Sequence, residues 1–406
     1  MDALRRWALP LLCGGVLMGL ALGVRHVQGL FLLPIAFDRG WGRESVALAL
    51  AAQNLIWGLA QPFAGMVADR WGSRRVLFGG ALLYALGLAT MAGAQSLWQL
   101  YLGAGLLIGV GLAGTAFGVV YGALSRQVSA SARATVLGLT GAVGGLGQFL
   151  AVPLTQGLLQ SLGWAQALLC LAALFLLVLP LAWPLNDRQD NTQPADAAGA
   201  AGGSMGAAIR AALAERSFWL LNLGFLACGF QLAFIATHLP AYLLEQGLPA
   251  GVAARALALI ALSNIAGTYA CGWLGGRYAK KRLLSAIYLL RTAAMALFLL
   301  APPSGLSVQL FCAAMGLLWL GTLPLTNGLV GQLFGLRYVS TLFGFTFVGH
   351  QLGAFLGVWL GGRLFDATHS YQLMWWLAMA LGIVAALLHW PIDERPSPAA
   401  RLGLAT

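Results

Sequence analysis

Twelve apolar runs of roughly 18 to 27 residues decide what this chain can become, because about 20 such residues coiled as a helix cross a hydrocarbon layer ~30 Å thick. They lie near residues 8–34, 46–67, 76–94, 98–122, 135–158, 165–185, 218–243, 253–275, 284–301, 306–330, 341–362 and 372–391. With 60% of its 406 residues hydrophobic and 9% charged, the chain has too little polar surface for a water-soluble domain. The strands of a membrane barrel would alternate apolar and polar residues over about ten positions, and these runs do not. The sequence predicts an all-α membrane protein with twelve transmembrane helices.

The formal net charge of +11 invites a nucleic-acid reading, but the positions of the charges decide otherwise. If the N-terminus is cytoplasmic, 17 Lys or Arg fall in loops and tails on that side, against Arg39, Arg43, Arg255 and Arg363 on the other. This is the positive-inside bias, so the basic character reports topology. The expectation is a multi-pass protein of the cell inner membrane with both termini cytoplasmic, the bilayer as its partner, and no nucleic acid. A signal peptide starting at Arg5 and Arg6 is disfavoured because the apolar run continues to Phe37. Lipid attachment at Cys13 is disfavoured by bulky Leu11 and Leu12 before it. The five cysteines (Cys13, Cys170, Cys228, Cys271 and Cys312) sit within predicted spans without metal-ligand spacing and read as small packing residues. No metal and no cofactor is expected.

One string occurs twice. "GMVADRWGSRR" (65–75) returns 207 residues later as "GWLGGRYAKKR" (272–282), each copy ending the second helix of a six-helix unit. The first helices echo one another too: "GVRHVQGLFLLP" (23–34) and "GFQLAFIATHLP" (229–240) align Arg25 with Gln231. The chain therefore divides into an N-terminal half (1–185), a cytoplasmic linker (186–216) and a C-terminal half (217–406), related by a pseudo-two-fold. The linker is polar and then rich in Ala and Gly, and cannot bury a core. Its end, "AAIRAALAERS", fits a short helix on the membrane surface with Ile209 and Leu213 inward and Arg210 and Arg216 in water.

Two six-helix halves with a basic turn after the second helix of each resemble the major facilitator superfamily, whose loop signature is Gly-x-x-x-Asp-Arg-x-Gly-Arg/Lys-Arg/Lys. Gly65, Asp69, Arg70, Gly72, Arg74 and Arg75 meet it. The second copy keeps Gly272, Arg277 and the basic cluster around Lys281, but has Gly276 where the acid belongs. The resemblance implies a gating role for these residues. Glycine would let the helix end pack closely, and Asp69 would sit against the positive N-terminus of the eleventh helix and hold the cytoplasmic side shut. The alternative is a turn that only sets topology.

Within the superfamily, "GLFLLPIAFDRGWGRE" (29–44), "GLLIGVG" (105–111) and "RATVLGLTGAVGGLGQ" (133–148) resemble the monocarboxylate transporter and oxalate/formate antiporter branch. This implies a carrier of small carboxylates, moved with a proton or exchanged for another anion. Two features depart from the branch. Its basic residue in the eighth helix is missing, and His350 stands in the eleventh where the antiporter has lysine.

The predicted membrane interior holds no carboxylate, since all twelve acidic residues fall in loops, tails or span ends. That disfavours exporters of cationic drugs, which use a buried acid. Gly105 stands about where proton-driven antiporters carry an arginine in the fourth helix, and residues 144–153 lack the antiporter glycine/proline pattern. Two cations remain inside. Arg291 is close enough to the end of its helix to snorkel and reads as structural. Arg25 lies near the midplane of the first helix and reads as functional.

Polar residues recur at helical spacing, as Arg25/Gln28/Leu32, Gln53/Trp57/Gln61, Trp319/Thr322/Thr326 and Thr346/His350/Gly353. Such stripes fit either a pathway or hydrogen bonding between helices. His26, His238 and His350 can bind protons near neutral pH, but none forms a hydrolase or metal motif, so an enzyme is not expected. The expected substrate-binding set is Arg25, Gln28, Gln53, Trp57, Gln231, Asn264 and His350, with His350 also coupling a proton. These residues point to a monomeric secondary transporter that moves a small organic anion, a monocarboxylate with a proton, by alternating access. An efflux carrier for a neutral or amphipathic metabolite or drug is the alternative, and a receptor or scaffold that binds without turnover is a third.

Overall fold

The computed structural model describes residues 2–127, 130–185, 205–334 and 339–396, with no β-strand among them. Twelve of its helices are long and apolar enough to cross a membrane. They are span 1 (Trp7–His26), span 2 (Arg43–Ala68), span 3 (Ser73–Ala92), span 4 (Leu97–Leu124), span 5 (Leu139–Leu162) and span 6 (Trp164–Ala182), followed by span 7 (Arg216–Glu245), span 8 (Ala250–Gly275), span 9 (Lys280–Leu300), span 10 (Gly305–Phe334), span 11 (Thr341–Thr368) and span 12 (Gln372–His389). Each run coils because, in lipid, backbone N–H and C=O groups find partners only within their own segment.

The repeat seen in the sequence extends to packing. A Cβ built on Gly19 of span 1 would sit 3.2 Å from the Cα of Gly147 in span 5, and one on Gly353 of span 11 would sit 1.9 Å from the carbonyl of Leu226 in span 7. The first and fifth helices of each half thus meet backbone to backbone. Lipid tails are as apolar as leucine, so close van der Waals contact between small residues replaces hydrophobic burial as the driving force.

Three spans are interrupted. Span 1 was expected to run unbroken over 8–34, but its helix ends at His26 and restarts as Gly29–Arg39. At the restart a Cβ on Gly29 would lie 2.3 Å from the Ala236 carbonyl, so only glycine lets span 1 approach span 7 there. Span 4 breaks at Ala116, and span 10, its counterpart in the second half, breaks between Leu317 and Thr322.

Residues 186–204 of the linker lie outside the described residues. Its end forms a helix, Met205–Ala214, with a different inner face from the one expected. Ala208 and Ala212 are buried, Ile209 is half-buried and Leu213 is exposed. One turn apart, the two small alanines let the helix lie closer to its neighbours than leucine would.

Candidate functional site

A cavity of ≈ 70 Å³ lies where the two halves meet, lined by Arg25, His26, Trp57, Phe117 and Gln148 from one half and by Trp319, Phe347, His350 and Gln351 among others from the second. No carboxylate lines it. Arg25 occupies the last turn of the first helical piece, just before the break at Val27 and Gln28. Its guanidinium donates to Asn54 Oδ1 and lies 5.1 Å from the centre of the Trp57 ring, while its buried Nε has no partner among the described residues. Trp57 is held edge-on to Phe347 at 5.3 Å and donates from Nε1 to Gln61 Oε1 at 2.9 Å, so the cation faces a fixed aromatic wall.

Of the expected binding residues, the cavity brings together Arg25, Trp57 and His350. The others turn elsewhere. Gln53 donates to the Ala104 carbonyl of span 4 at 2.8 Å, and its neighbour Asn54 is the one that reaches Arg25. Gln28 is buried at the break in span 1, with its Nε2 unpartnered among the described residues. Gln231, fully buried, donates to the Ala378 carbonyl at 2.9 Å and accepts from Arg291.

Asn264 and Arg291 hold the break in span 10. Its interruption frees the carbonyls of Leu318 and Trp319 and the N–H of Leu320, which lipid cannot satisfy. Arg291 donates from Nη2 to both carbonyls at 2.6 Å, and Asn264 Oδ1 accepts the N–H at 3.0 Å. Contrary to the expectation that its depth lets Arg291 snorkel, it is fully buried and points inward, because the broken helix offers it better acceptors than the headgroups. Asn264→Ala should leave the Leu320 N–H orphaned and lower stability by about 1–3 kcal/mol. Thermal unfolding in detergent tests this, and an unchanged midpoint would show that the break does not depend on Asn264.

The histidines differ in their use. His26 donates from Nε2 to the Leu257 carbonyl of the other half at 2.9 Å. His238 is engaged on both ring nitrogens, by the Val358 carbonyl at 2.7 Å and the Tyr371 hydroxyl at 3.2 Å. His350 pairs Nδ1 with Gln351 Oε1 at 3.2 Å, stacks 5.6 Å from Phe347, and keeps a buried Nε2 without a partner among the described residues. Of the two histidines lining the cavity, His350 has the fully buried ring nitrogen that is left without a partner among the described residues.

The two ends of the bundle are built differently. At the basic turns, Gly72 joins spans 2 and 3 with φ +89°, a conformation that favours glycine. Its counterpart 207 residues on, Ala279, has φ −58°, so the second copy turns by another route. Gly65 and Gly272 do not support close packing as expected, since a Cβ on either would meet nothing within 4 Å; the neighbouring helices stand apart there. The side chains of Asp69 and Arg70 lie outside the described residues. Arg74 lies 4.5 Å over Trp183 and Arg277 lies 3.6 Å over Trp273, while Lys281 donates to Glu394 and to the Ile392 carbonyl after span 12.

The opposite end is tightly joined. Asp366, at the end of span 11, accepts the backbone N–H groups of Arg43 at 3.1 Å and Glu44 at 2.8 Å, capping the N-terminus of span 2 from the other half. Arg43 pairs with Glu245 and lies 3.6 Å over Phe365, and Glu44 pairs with Arg363 at 3.1 Å. Spans 2 and 11 stay in contact from here to Gly58, where a Cβ would lie 2.8 Å from Gln351.

Comparison with known proteins agrees with this architecture. Residues 11–358 match the Major Facilitator Superfamily. Human monocarboxylate transporter 11 is 30% identical over 91% of this chain and 79% of its own length. Multidrug resistance protein MdtH of Cronobacter sakazakii is 28% identical over 92% of this chain and 91% of its own. Among solved structures, a bacterial homolog of the human lysosomal transporter Spinster, in an inward-facing and occupied conformation, superposes with a TM-score of 0.78 at 17% identity, covering 97% of this chain and 99% of that one.

Proposed function

The chain belongs to the major facilitator superfamily of membrane transporters, and from that premise we propose that it carries a small organic anion, a monocarboxylate taken with a proton, by alternating access between its halves. One observation carries the substrate class: the Arg25 guanidinium stands on the wall of a central cavity without a carboxylate, its Nε unpartnered among the described residues. A buried cation needs a compensating anion, and a bound carboxylate supplies one while accepting two parallel N–H bonds from the planar fork. The relatedness to a monocarboxylate transporter supports the same class.

The basic turns are assigned to the cytoplasm of a cell whose inner membrane holds the protein, with both termini on that side. The cross-half contacts at the other end then form a gate on the non-cytoplasmic side, closed here, while the motif around Gly65, Asp69 and Arg70 forms the cytoplasmic gate. The protein is assigned as a monomer, since each chain builds its own cavity.

Counterflow in proteoliposomes tests the reading. Labelled lactate should exchange against unlabelled monocarboxylates and not against lactamide, its neutral isostere. Saturable binding without exchange would mean a receptor. Exchange favouring lactamide would instead favour efflux of neutral compounds, a reading that the relatedness to MdtH and the aromatic wall of Trp57, Trp319 and Phe347 keep open. His350→Gln keeps hydrogen bonding but cannot titrate near neutral pH. It should spare lactate counterflow and reduce accumulation driven by a pH gradient; equal loss of both would remove His350 from proton coupling.

A further inference from the structure

Two polar groups meet one sulfur in the second half. Arg291 Nη1 lies 3.3 Å from Cys228 Sγ and the Thr322 hydroxyl lies 3.2 Å from it. Cys228, Arg291, Tyr288 and Thr322 are fully buried, and His350 is 8% exposed. Tyr288 Oη and His350 Nε2 have no hydrogen-bond partner among the described residues. The His350 backbone packs against Gly229, the residue after Cys228, and with Nδ1 against Gln351 Oε1 a neutral His350 keeps a lone pair on Nε2. The remaining donors of Arg291 go to neutral acceptors, the carbonyls of Leu318 and Trp319 and Gln231 Oε1.

Arg291 thus carries a full charge inside the membrane with no carboxylate beside it. A neutral thiol answers this poorly, because it accepts weakly and carries no charge to offset the guanidinium. A thiolate accepts from both Arg291 and Thr322 and neutralises the guanidinium. The other titratable groups near the pair do not compete for the role. Cys271 in span 8 faces Gly321, and His389 in span 12 stacks on Tyr288 while bonding the Ala385 carbonyl.

We infer that Cys228 and Arg291 form a thiolate–guanidinium ion pair that serves as the carrier's proton-binding site, with His350 linking it to the cavity. The proton role rests on the proton-coupled reading above. A proton arriving from cavity water is taken up by His350 and passed to Sγ, forming an S–H bond and regenerating neutral imidazole. Arg291 then loses its counter-charge, the protein behind the cavity wall becomes more positive, and an anionic substrate is bound more tightly. Release of the anion favours return of the proton by the same route.

The infrared S–H stretching band of the purified protein counts protonated thiols. With five cysteines in the chain, the wild type and Cys228→Ser should give equal S–H intensity at neutral pH, and the wild type should gain one oscillator over the variant on acidification. Arg291→Gln should restore the missing oscillator at neutral pH; Cys228→Ala is a second reference should Cys228→Ser misfold. A wild type with one more S–H than the variant at every pH overturns the ion pair. In proteoliposomes Cys228→Ser should keep lactate counterflow and lose pH-driven accumulation. Retained accumulation overturns the proton role. A wild type that exchanges lactate but never accumulates it on a pH gradient overturns the coupling reading and the proton role together, while the infrared comparison still decides the ion pair.

Discussion

Arg25→Gln is expected to reduce lactate affinity to near the limit of detection, with Arg25→Lys between it and the wild type. Hydrogen bonds to charged groups contribute about 1.5–3 kcal/mol each, so losing a two-bond pairing together with its charge corresponds to a fall on the order of 100-fold or more. Lysine keeps the charge but not the fork, and its flexible stem has no planar face to lay against Trp57. Glutamine, the residue at the aligned position 231 of the second half, keeps polarity and loses the charge. Lactamide binding should change little in either variant, which separates a specific loss from general damage. The measurement is ligand affinity of the three proteins in detergent, after monodispersity is verified. Wild-type lactate affinity in Arg25→Gln would remove the main support for an anion carrier and leave efflux of neutral compounds as the better reading.

Asp366→Asn should open the gate opposite the basic turns. Two carboxylate oxygens now accept two backbone N–H groups at the start of span 2. Asparagine keeps one acceptor and sets an NH₂ group against the other N–H, and the negative charge at the helix N-terminus disappears. Loss of such a cap costs about 0.5–2 kcal/mol and loss of the charge about 0.3–1 kcal/mol. A change of 1–2 kcal/mol moves a two-state population roughly 5- to 30-fold. A cysteine at Leu33, which lines a cavity between the halves near that end, reports the change through labelling by a membrane-impermeant maleimide. Labelling should rise in Asp366→Asn; equal labelling in the two backgrounds would mean that the ion pairs of Arg43 and Glu44 hold the gate without the cap.

The gating role expected of Asp69 and the contact made by Asp366 rest on the same physics, a carboxylate on a helix N-terminus, yet only the first was legible beforehand. Asp69 stands in a recognisable loop string, whereas Asp366 acts on residues 322 positions away in sequence, and nothing local in "GRLFDATHS" indicates that partner. The expectation that Gln53 lines the site failed for another reason, and Asn54 was not foreseen at all. Adjacent helical residues point about 100° apart, and in a soluble helix the apolar stripe would tell which direction is inward. Here lipid and protein are both apolar surroundings, so that cue is absent. The polar stripe was real in spacing: Trp57 faces the cavity, but Gln53 turns to span 4 and its neighbour Asn54 reaches Arg25.

The sequence alone determined the fold class, the number of spans and the duplication, because a helix in lipid satisfies its backbone locally and its length is set by bilayer thickness. It also singled out Arg25 and His350, since ionisable groups are rare enough in a membrane interior to be noticed one by one. Only the tertiary structure decided which polar groups face the cavity and which face other helices. That depended on the breaks in spans 1 and 10, which redirect the chain and free backbone groups for distant side chains to satisfy. Arg291 and Asn264 took their roles from those orphaned carbonyls and N–H groups, and a carbonyl freed by a break has no signature in the residues that carry it.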